Sequence, residues 1–232
     1  MRKKLIVSIS VIAVLAIASV TTIAILHQKE LEEEKKQDWA AIFKQHYEDR
    51  CAQFEEENKT AQDIDVVFLG DSLTEGYDVT RFYPEYKVLN RGIGGDTTFG
   101  VEKRLQVSVY DVKPKVTALL IGANNFDSML DNYENILIDF KTNAPEMKVV
   151  LLSLTSMTME WGRNNAKAIN NNVEIKKYAE KYDFSYVDLY NPLLDPTTDE
   201  LRQEYTIDGG HLTEQGYEVV TAQIKPVLQS LI

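Results

Sequence analysis

Short apolar runs alternate with stretches of helical character from Ile64 to the end of the chain. The apolar runs predict strands at Asp65–Leu69, Lys87–Asn90, Val116–Ile121, Lys148–Leu154 and Ser185–Leu189. The stretches between them predict helices near Thr98–Tyr110, Asn132–Asn143, Asn164–Tyr182 and Thr213–Leu231, the last with Pro226 as a candidate kink. Strands and helices that alternate in this way form parallel sheets with right-handed crossovers, and continuous apolar strands are typical of sheets covered on both faces. The sequence therefore predicts an α/β fold around a parallel sheet.

Glycines and small polar residues follow the first three predicted strands. These segments are Gly70-Asp71-Ser72, the stretch from Asn90 to Thr98, and Gly122-Ala123-Asn124-Asn125. Because open α/β sheets bind ligands at the carboxyl ends of their strands, we expect these residues to lie at one shared crevice. Glycine-rich strand ends also cradle phosphates. However, the chain has no GxxxxGK[ST], and no GxGxxG opens the first helix, so the pattern disfavours a nucleotide site.

A serine at such a strand end has two interpretations. Ser72 is either the N-cap of an ordinary strand-to-helix turn or a nucleophile that faces a crevice. The candidate base lies near the C-terminus, where Asp208-Gly209-Gly210-His211 places a carboxylate three residues from an imidazole. In a turn, this spacing lets Asp208 reach Nδ1 of His211 and leaves Nε2 to face a serine. The alternative is an aspartate that caps a turn beside a surface histidine.

Together these segments resemble the four sequence blocks of the SGNH (GDSL) hydrolase family, in order, over about residues 60–232. Gly70–Leu73 is similar to the nucleophile block, Asn90–Thr98 to the glycine block, Gly122–Asn125 to the third block and Asp208–His211 to the Asp-x-x-His block. The third block is closest in style to the platelet-activating-factor acetylhydrolase branch, since an asparagine stands where many members carry aspartate. The GxSxG elbow of standard α/β-hydrolases is missing from the sequence.

The resemblance implies a three-layer, flavodoxin-like fold with five parallel strands in the order 2-1-3-4-5. It implies a nucleophile at Ser72, a base at His211 and an orienting carboxylate at Asp208. The implied oxyanion donors are the backbone N–H groups of Ser72 and Gly95 and the side-chain amide of Asn124. Contacts with substrate are predicted for Asp71, Asn125, Trp161 and Arg163. Neither a metal nor an organic cofactor is implied.

The implied activity is hydrolysis of carboxylic esters. Short acyl or acetyl esters on carbohydrate or lipid of the cell envelope are the expected substrates. An acyltransferase that uses the same residues on a sugar hydroxyl is one alternative, and a non-catalytic surface binding protein with a vestigial site is another. The net charge of −11 disfavours nucleic acid as a partner, because phosphate binding needs a basic patch.

The first residues of the chain predict a membrane anchor. Three basic residues at positions 2–4 precede an uncharged run from Leu5 to Leu26, which as a helix would span about 33 Å against about 30 Å of hydrocarbon. The run is longer than the apolar core of a cleavable signal peptide, although Ala16-Ile17-Ala18 resembles a cleavage motif. We therefore expect residues 1–27 to be an uncleaved signal anchor, with a cytoplasmic N-terminus and an extracellular catalytic domain. If the segment is cleaved, the protein is secreted.

Residues 28–59 are rich in charge and contain neither proline nor glycine. Apolar and aromatic residues recur there at spacings of three and four, at Trp39, Ile42, Phe43, His46, Tyr47, Cys51 and Phe54. This periodicity predicts an amphipathic helix. Its role stays open between a stalk, a coiled coil with a partner helix, and a helix that packs on the catalytic domain, which the aromatic content favours. The predicted organisation is an anchor at 1–27, this helix at 28–59 and a hydrolase domain at 60–232.

Overall fold

A computed structural model describes residues 2–161 and 165–232 and, within these ranges, the side chains from residue 26 onward except Glu30 and Glu34. The helices in chain order are α1 (Arg2–Asn58), α2 (Ser72–Glu75), α3 (Val79–Phe82), α4 (Thr98–Lys103), α5 (Leu130–Asn143), α6 (Asn165–Tyr182), α7 (Tyr190–Leu193) and α8 (Glu214–Leu231). The strands are β1 (Val66–Gly70), β2 (Val88–Gly92), β3 (Val116–Leu120), β4 (Lys148–Leu152), β5 (Ser185–Val187), β6 (Leu194–Asp195) and β7 (Glu200–Leu201). A π-helical segment covers Gln106–Tyr110, and 3-10 turns cover Met159–Trp161 and Gln203–Tyr205.

Strands β1 to β5 form one parallel sheet in the order β2-β1-β3-β4-β5. This order and the helices on both faces confirm the predicted three-layer fold. The chain leaves β1 towards β2 on one side and later returns to place β3 on the other side. A crevice therefore opens beyond the carboxyl ends of β1 and β3, which is the position where open α/β sheets bind ligands.

Successive strand residues face opposite layers of the fold. Leu69 and Leu119 point to one face and pack in a core shared with α4, α5 and α6. Phe68 and Leu120 point to the other face, where the core is shared with α2 and α8. Because both faces are covered, all five residues of β1 and of β3 are buried, which accounts for their largely apolar sequences.

The predicted helix at Thr98–Tyr110 is interrupted at Arg104. Helix α4 ends at Lys103, and a π-helical segment starts at Gln106. Between them Arg104 turns its guanidinium inward, where only 2% of the residue is exposed. At this interruption the Arg104 side chain bonds to residues at or next to the ends of β1 and β2 and to Asp96.

The chain forms two compact units, the first ending at Gln45 and the second comprising His46–Ile232. The last turns of α1 belong to the second unit. Phe54 is fully buried there, and the Asn58 side chain donates to the Val107 carbonyl at 2.7 Å. The predicted helix at 28–59 is present, but the compact unit with the sheet begins at His46 and not at residue 60.

The predicted anchor at residues 1–27 lies outside the described side chains, except for Leu26 and His27. Within the part of the chain that the structure describes, no helix is long and apolar enough to cross a bilayer.

Candidate active site

Ser72 is the first residue of α2, directly after the end of β1. Asp71 is the N-cap of this short helix, and its carboxylate accepts the backbone N–H of Leu73 at 3.1 Å. Tyr217 of α8 donates its hydroxyl to the Leu73 carbonyl at 2.9 Å. The segment Gly70–Ser72 is here called the serine turn. Two hydrogen bonds of the next residue, Leu73, fix the turn in place, one with Asp71 inside the turn and one with Tyr217 of α8.

The loop before α8 carries the other two residues of the predicted triad. One oxygen of Asp208 accepts the backbone N–H groups of Gly210 at 3.1 Å and His211 at 2.8 Å, which fixes a tight turn. The second oxygen lies 2.7 Å from Nδ1 of His211. A single carboxylate thus shapes the turn and orients the imidazole, as the three-residue spacing predicts.

The imidazole of His211 completes a continuous line of hydrogen bonds. Its Nε2 atom lies 3.0 Å from Oγ of Ser72, across 139 positions of sequence. The candidate nucleophile, base and carboxylate therefore stand in the order that can activate a serine hydroxyl: the imidazole can remove the proton, and the carboxylate can stabilise the imidazolium that forms. The two alternatives, a simple helix cap and a turn beside a surface histidine, do not account for this contact.

Two opposing effects act on the pKa of Asp208. Burial raises the pKa, but hydrogen bonds from the His211 side chain and from two backbone N–H groups outweigh it. The result is a pKa below the ordinary aspartate value, so the carboxylate stays ionised well into the acidic range. This is the state in which it orients the imidazole.

The residues Gly92–Asp96, here called the glycine loop, lie beside the serine turn. Gly95 has φ of +78°, a conformation that glycine adopts without steric cost. From the loop after β3, the side-chain amide of Asn124 reaches this loop and donates to the Asp96 carbonyl at 2.8 Å. Because an amide nitrogen carries two hydrogens, this bond also fixes the direction of the second one.

Arg104 ties the serine turn to the glycine loop. Its Nη2 atom donates to the Gly70 carbonyl at 2.9 Å, and its Nε atom donates to the Asp96 carboxylate at 2.8 Å. Nη1 donates to the Arg91 carbonyl and to Ser108, both at 2.9 Å. Burial raises the pKa of Asp96, and the Arg104 guanidinium opposes that shift. One buried cation thus links both segments that carry predicted site residues.

A small cavity of about 10 Å³ lies next to Ser72 and His211. The indole of Trp161 forms one wall and meets the imidazole edge-on, with ring centres 4.9 Å apart. The remaining described lining residues are Leu73, Ala123, Thr155, Met157 and Gly210. The structure therefore brings Trp161 to the site, as predicted, and adds two residues from the loop after β4, Thr155 and Met157.

The other three residues predicted to contact substrate are not among the described residues that line this cavity. Asp71 is buried, and one oxygen of its carboxylate accepts the Leu73 N–H at the start of α2, while its contact with substrate stays a prediction. Asn125 accepts the backbone N–H of Thr98 at 3.3 Å and donates to its hydroxyl at 2.9 Å, which braces the loop after β3. Arg163 lies outside the described residues.

Sequence reasoning missed Arg104, which bonds to the serine turn and the glycine loop, and Glu75, whose carboxylate accepts the Gly94 N–H at 2.6 Å. Arg104 follows the apolar Val101 by three residues and precedes Ser108 by four, so it falls on the buried stripe of a helix. A charged residue on such a stripe is an available signal, because buried charges need partners. Over residues 2–161 and 165–232, no group of three or more His, Cys, Asp or Glu side chains is placed to hold a metal ion.

Solved structures with the same fold come from several bacteria. A Streptococcus pneumonia protein, provisionally described as a platelet activating factor, superposes with a TM-score of 0.77 at 25% identity, covering 83% of this chain and 97% of that one. A GDSL-like lipase from Bacteroides thetaiotaomicron has a TM-score of 0.70 at 26% identity and covers 78% and 98%. An acetylxylan esterase from Geobacillus stearothermophilus, at 16% identity and a TM-score of 0.60, covers 72% and 95% and shares the fold.

No curated protein matches the sequence significantly. The family model for the GDSL-like lipase/acylhydrolase family matches residues 68–219, a range that starts just before the serine turn and extends past His211 into α8. This range contains the serine turn, the glycine loop, Asn124 and the Asp208–His211 turn. The chain belongs to the GDSL-like lipase/acylhydrolase family and is an SGNH-type hydrolase.

Proposed function

We propose that this hydrolase is a membrane-anchored, extracellular serine esterase that cleaves short acyl esters through Ser72, His211 and Asp208. The observation that carries the proposal is the line of hydrogen bonds from the Asp208 carboxylate through the imidazole to the Ser72 hydroxyl, at 2.7 and 3.0 Å. Acyl transfer through a serine requires this order of groups at hydrogen-bonding distance.

The reaction has two halves that use the same groups. As the Ser72 oxygen bonds to the ester carbonyl carbon, Nε2 of His211 takes the hydroxyl proton, and Asp208 stabilises the imidazolium. The bond from carbon to the alcohol oxygen then breaks, and the departing alcohol takes the proton from His211. Water attacks the acyl-enzyme by the same route, releasing the acid and restoring the serine.

The negative charge that develops on the carbonyl oxygen needs donors placed in advance. We assign this role to the backbone N–H groups of Ser72 and Gly95 and to the side-chain amide of Asn124. The bond from Asn124 to the Asp96 carbonyl supports the assignment, because it holds the amide beside the glycine loop. Removal of one such donor typically raises the barrier by ~3–4 kcal/mol.

The space beside Ser72 favours a small acyl group. The cavity there is about 10 Å³, and Trp161, Met157 and Leu73 are among its walls. A water molecule needs roughly that much space, so an acetyl group already requires small side-chain movements, whereas a long acyl chain requires large ones. We therefore propose acetyl or similarly short esters, carried by carbohydrate or lipid of the cell envelope.

The proposed location rests on the sequence. Basic residues at positions 2–4 and the uncharged run from Leu5 to Leu26 support an anchor whose N-terminus is cytoplasmic. The test is to express the full chain in a bacterial host and separate its membranes. The anchor predicts that the protein sediments with membranes, dissolves only in detergent, and is digested by protease added outside intact cells. Full-length protein in the cytosolic fraction would contradict this.

The nucleophile is tested with a fluorophosphonate probe, which bonds to an activated serine oxygen as fluoride leaves. We expect one label per chain on Ser72, and none in the Ser72→Ala variant. Hydrolysis of p-nitrophenyl acetate is expected to fall by roughly 10⁴-fold or more in that variant. Ser230→Ala is the control, because Ser230 is exposed and its hydroxyl donates to the Val227 carbonyl of its own helix. A folded wild-type chain that takes no label favours a binding protein.

The acyl group and the acceptor are tested with a matched series of esters. Acetyl, butyryl and octanoyl p-nitrophenyl esters are compared, together with acetylated xylan and other acetylated glycans. A small acyl site predicts that kcat/KM falls steeply from acetyl to octanoyl. Addition of a free sugar as acceptor distinguishes the two reactions, because a transferase forms acetylated sugar faster than acetate, whereas an esterase releases acetate alone.

A further inference from the structure

We infer that Glu75 is a positioning residue that holds the glycine loop in its catalytic place, together with His46 and Arg50 from α1. This inference rests on the proposed function, because it assigns Gly95 the role of oxyanion donor. Glu75 is the last residue of α2, the same four-residue helix that begins with Ser72. One short helix would therefore carry the nucleophile at one end and the brace for the oxyanion donor at the other.

The contact between Glu75 and the glycine loop is short and direct. Its Oε2 atom accepts the backbone N–H of Gly94 at 2.6 Å. The next residue is Gly95, whose N–H is the proposed oxyanion donor. Because this bond fixes the Gly94 nitrogen, it limits how far the following peptide can turn away from the Ser72 oxygen. Charge-assisted hydrogen bonds of this kind are the strong ones in proteins.

Helix α1 holds the same loop and the same carboxylate. Nη2 of Arg50 donates to the Gly92 carbonyl at 3.0 Å, while its Nε lies 3.3 Å from the Glu75 carboxylate. Nε2 of His46 lies 3.0 Å from that carboxylate. Hydrogen bonds thus hold the glycine loop at two points, at Gly92 from Arg50 and at Gly94 from Glu75. Arg50 also pairs with the Glu75 carboxylate.

The negative charge of Glu75 also affects the site electrostatically. A carboxylate near the site opposes the negative charge that develops on the ester oxygen, since like charges repel. Arg50 offsets this repulsion, and its side chain is only 18% exposed, so solvent screens it incompletely. We therefore assign Glu75 a geometric role and Arg50 a mixed role, since Arg50 both holds the Gly92 carbonyl and compensates the charge of Glu75.

The test compares Glu75→Ala with Glu75→Gln in the full chain, using p-nitrophenyl acetate. Alanine removes the acceptor for the Gly94 N–H, so kcat is expected to fall roughly ten- to a hundredfold while KM changes little. Glutamine keeps an oxygen at that position, so most of kcat should return. Glu214→Ala is the matched control, because Glu214 forms an exposed salt bridge with Arg81 away from the loop.

The affinity for an arylboronic acid distinguishes a displaced oxyanion donor from a general loss of stability. The boron bonds to the Ser72 oxygen and becomes a tetrahedral anion, which needs the oxyanion donors. We expect the affinity for this probe to fall with kcat in Glu75→Ala, while fluorophosphonate still labels Ser72 and thermal unfolding shows a folded chain. Unchanged kcat and boronate affinity in a folded Glu75→Ala variant would overturn the inference. Activity that persists in Ser72→Ala would instead overturn the proposed function itself.

Discussion

The guanidinium of Arg91, which has no exposed side-chain surface, pairs with the carboxylate of Glu57 from α1. Asn58 accepts a second hydrogen bond from Arg91 at 2.8 Å, and the ring of Phe54 lies 4.5 Å from the guanidinium carbon. Arg91 belongs to β2, next to the glycine loop. The end of α1 therefore provides the partners of a buried charge inside the hydrolase fold.

When the chain is shortened from its N-terminus, we consequently expect the free energy of unfolding to fall abruptly once Phe54 and Glu57 are removed. A chain that begins at His46 comprises the whole second unit, including Phe54 and Glu57, so its free energy of unfolding should equal that of this unit in the full chain. A chain that begins at residue 60 loses both, and we expect a drop of roughly 3–5 kcal/mol, which is typical of removing a buried aromatic side chain. Urea unfolding followed by circular dichroism measures the difference. Equal midpoints for the two chains would show that α1 is dispensable to the fold.

Two neighbouring glycines should respond differently to alanine. A Cβ at Gly92 would lie 2.0 Å from the Glu75 nitrogen, which is backbone, whereas a Cβ at Gly94 would meet the end of the Glu75 side chain at 2.9 Å. Overpacking against backbone typically costs about 1–3 kcal/mol. We expect Gly92→Ala to lower both the free energy of unfolding and kcat. Gly94→Ala should lower kcat with a smaller loss of stability, and the reverse order would contradict this packing.

Replacing Asn124 by alanine should damage turnover and spare binding. The side-chain amide is the proposed third oxyanion donor, and removal of such a donor typically lowers kcat about 10²–10³-fold. Steady-state kinetics with p-nitrophenyl acetate should show this loss in kcat with KM nearly unchanged. Asn124→Asp has a similar shape but adds a negative charge, so it should be at least as slow. A variant as fast as wild type would remove Asn124 from the mechanism.

The pKa of Asp208 gives a prediction about acid pH. Hydrogen bonds outweigh burial and lower this pKa, so the ionised carboxylate stabilises the fold above the ordinary aspartate pKa of about 3.9, and that stabilisation is lost as pH falls through the lower folded value. A carboxyl-carbon NMR titration should find the low pKa. In His211→Ala one of the lowering hydrogen bonds is gone, so the pKa should rise. A titration that His211→Ala leaves unchanged would contradict the assigned cause.

Much of the fold followed from the sequence because its signals are local. The apolar runs at β1 and β4 are uninterrupted, and the strand order followed from the resemblance that the serine turn and the Asp208–His211 turn carry. The glycines around Ser72 and the three-residue spacing of Asp208 and His211 are likewise short-range patterns. They allowed Ser72, Asp208 and His211 to be predicted from residue types and spacing, whereas Gly95 and Asn124 were predicted only from the family resemblance.

The supporting contacts were out of reach because they join distant parts of the chain. Glu75 meets His46 across 29 positions, and Arg104 meets Gly70 across 34. For Arg104, its place on a buried helical stripe predicts burial but does not name its distant partners, and for Glu75 the sequence contains no such signal. Asp71, which we predicted as a substrate contact, is buried, and one of its carboxylate oxygens accepts the Leu73 N–H, a local contact that the sequence alone did not indicate.

The guanidinium of Arg104 is planar and rigid, and its nitrogens contact Gly70, Arg91 and Asp96 at once. Lysine has a single nitrogen and no such fork, so it cannot replace arginine here. The rigid guanidinium therefore fixes the spacing between the serine turn and the glycine loop, because it bonds to both. Thr155 and Met157, which line the cavity, come from the loop after β4 instead. We therefore expect substitutions in that loop to change ester preference while the contacts of Arg104 stay intact.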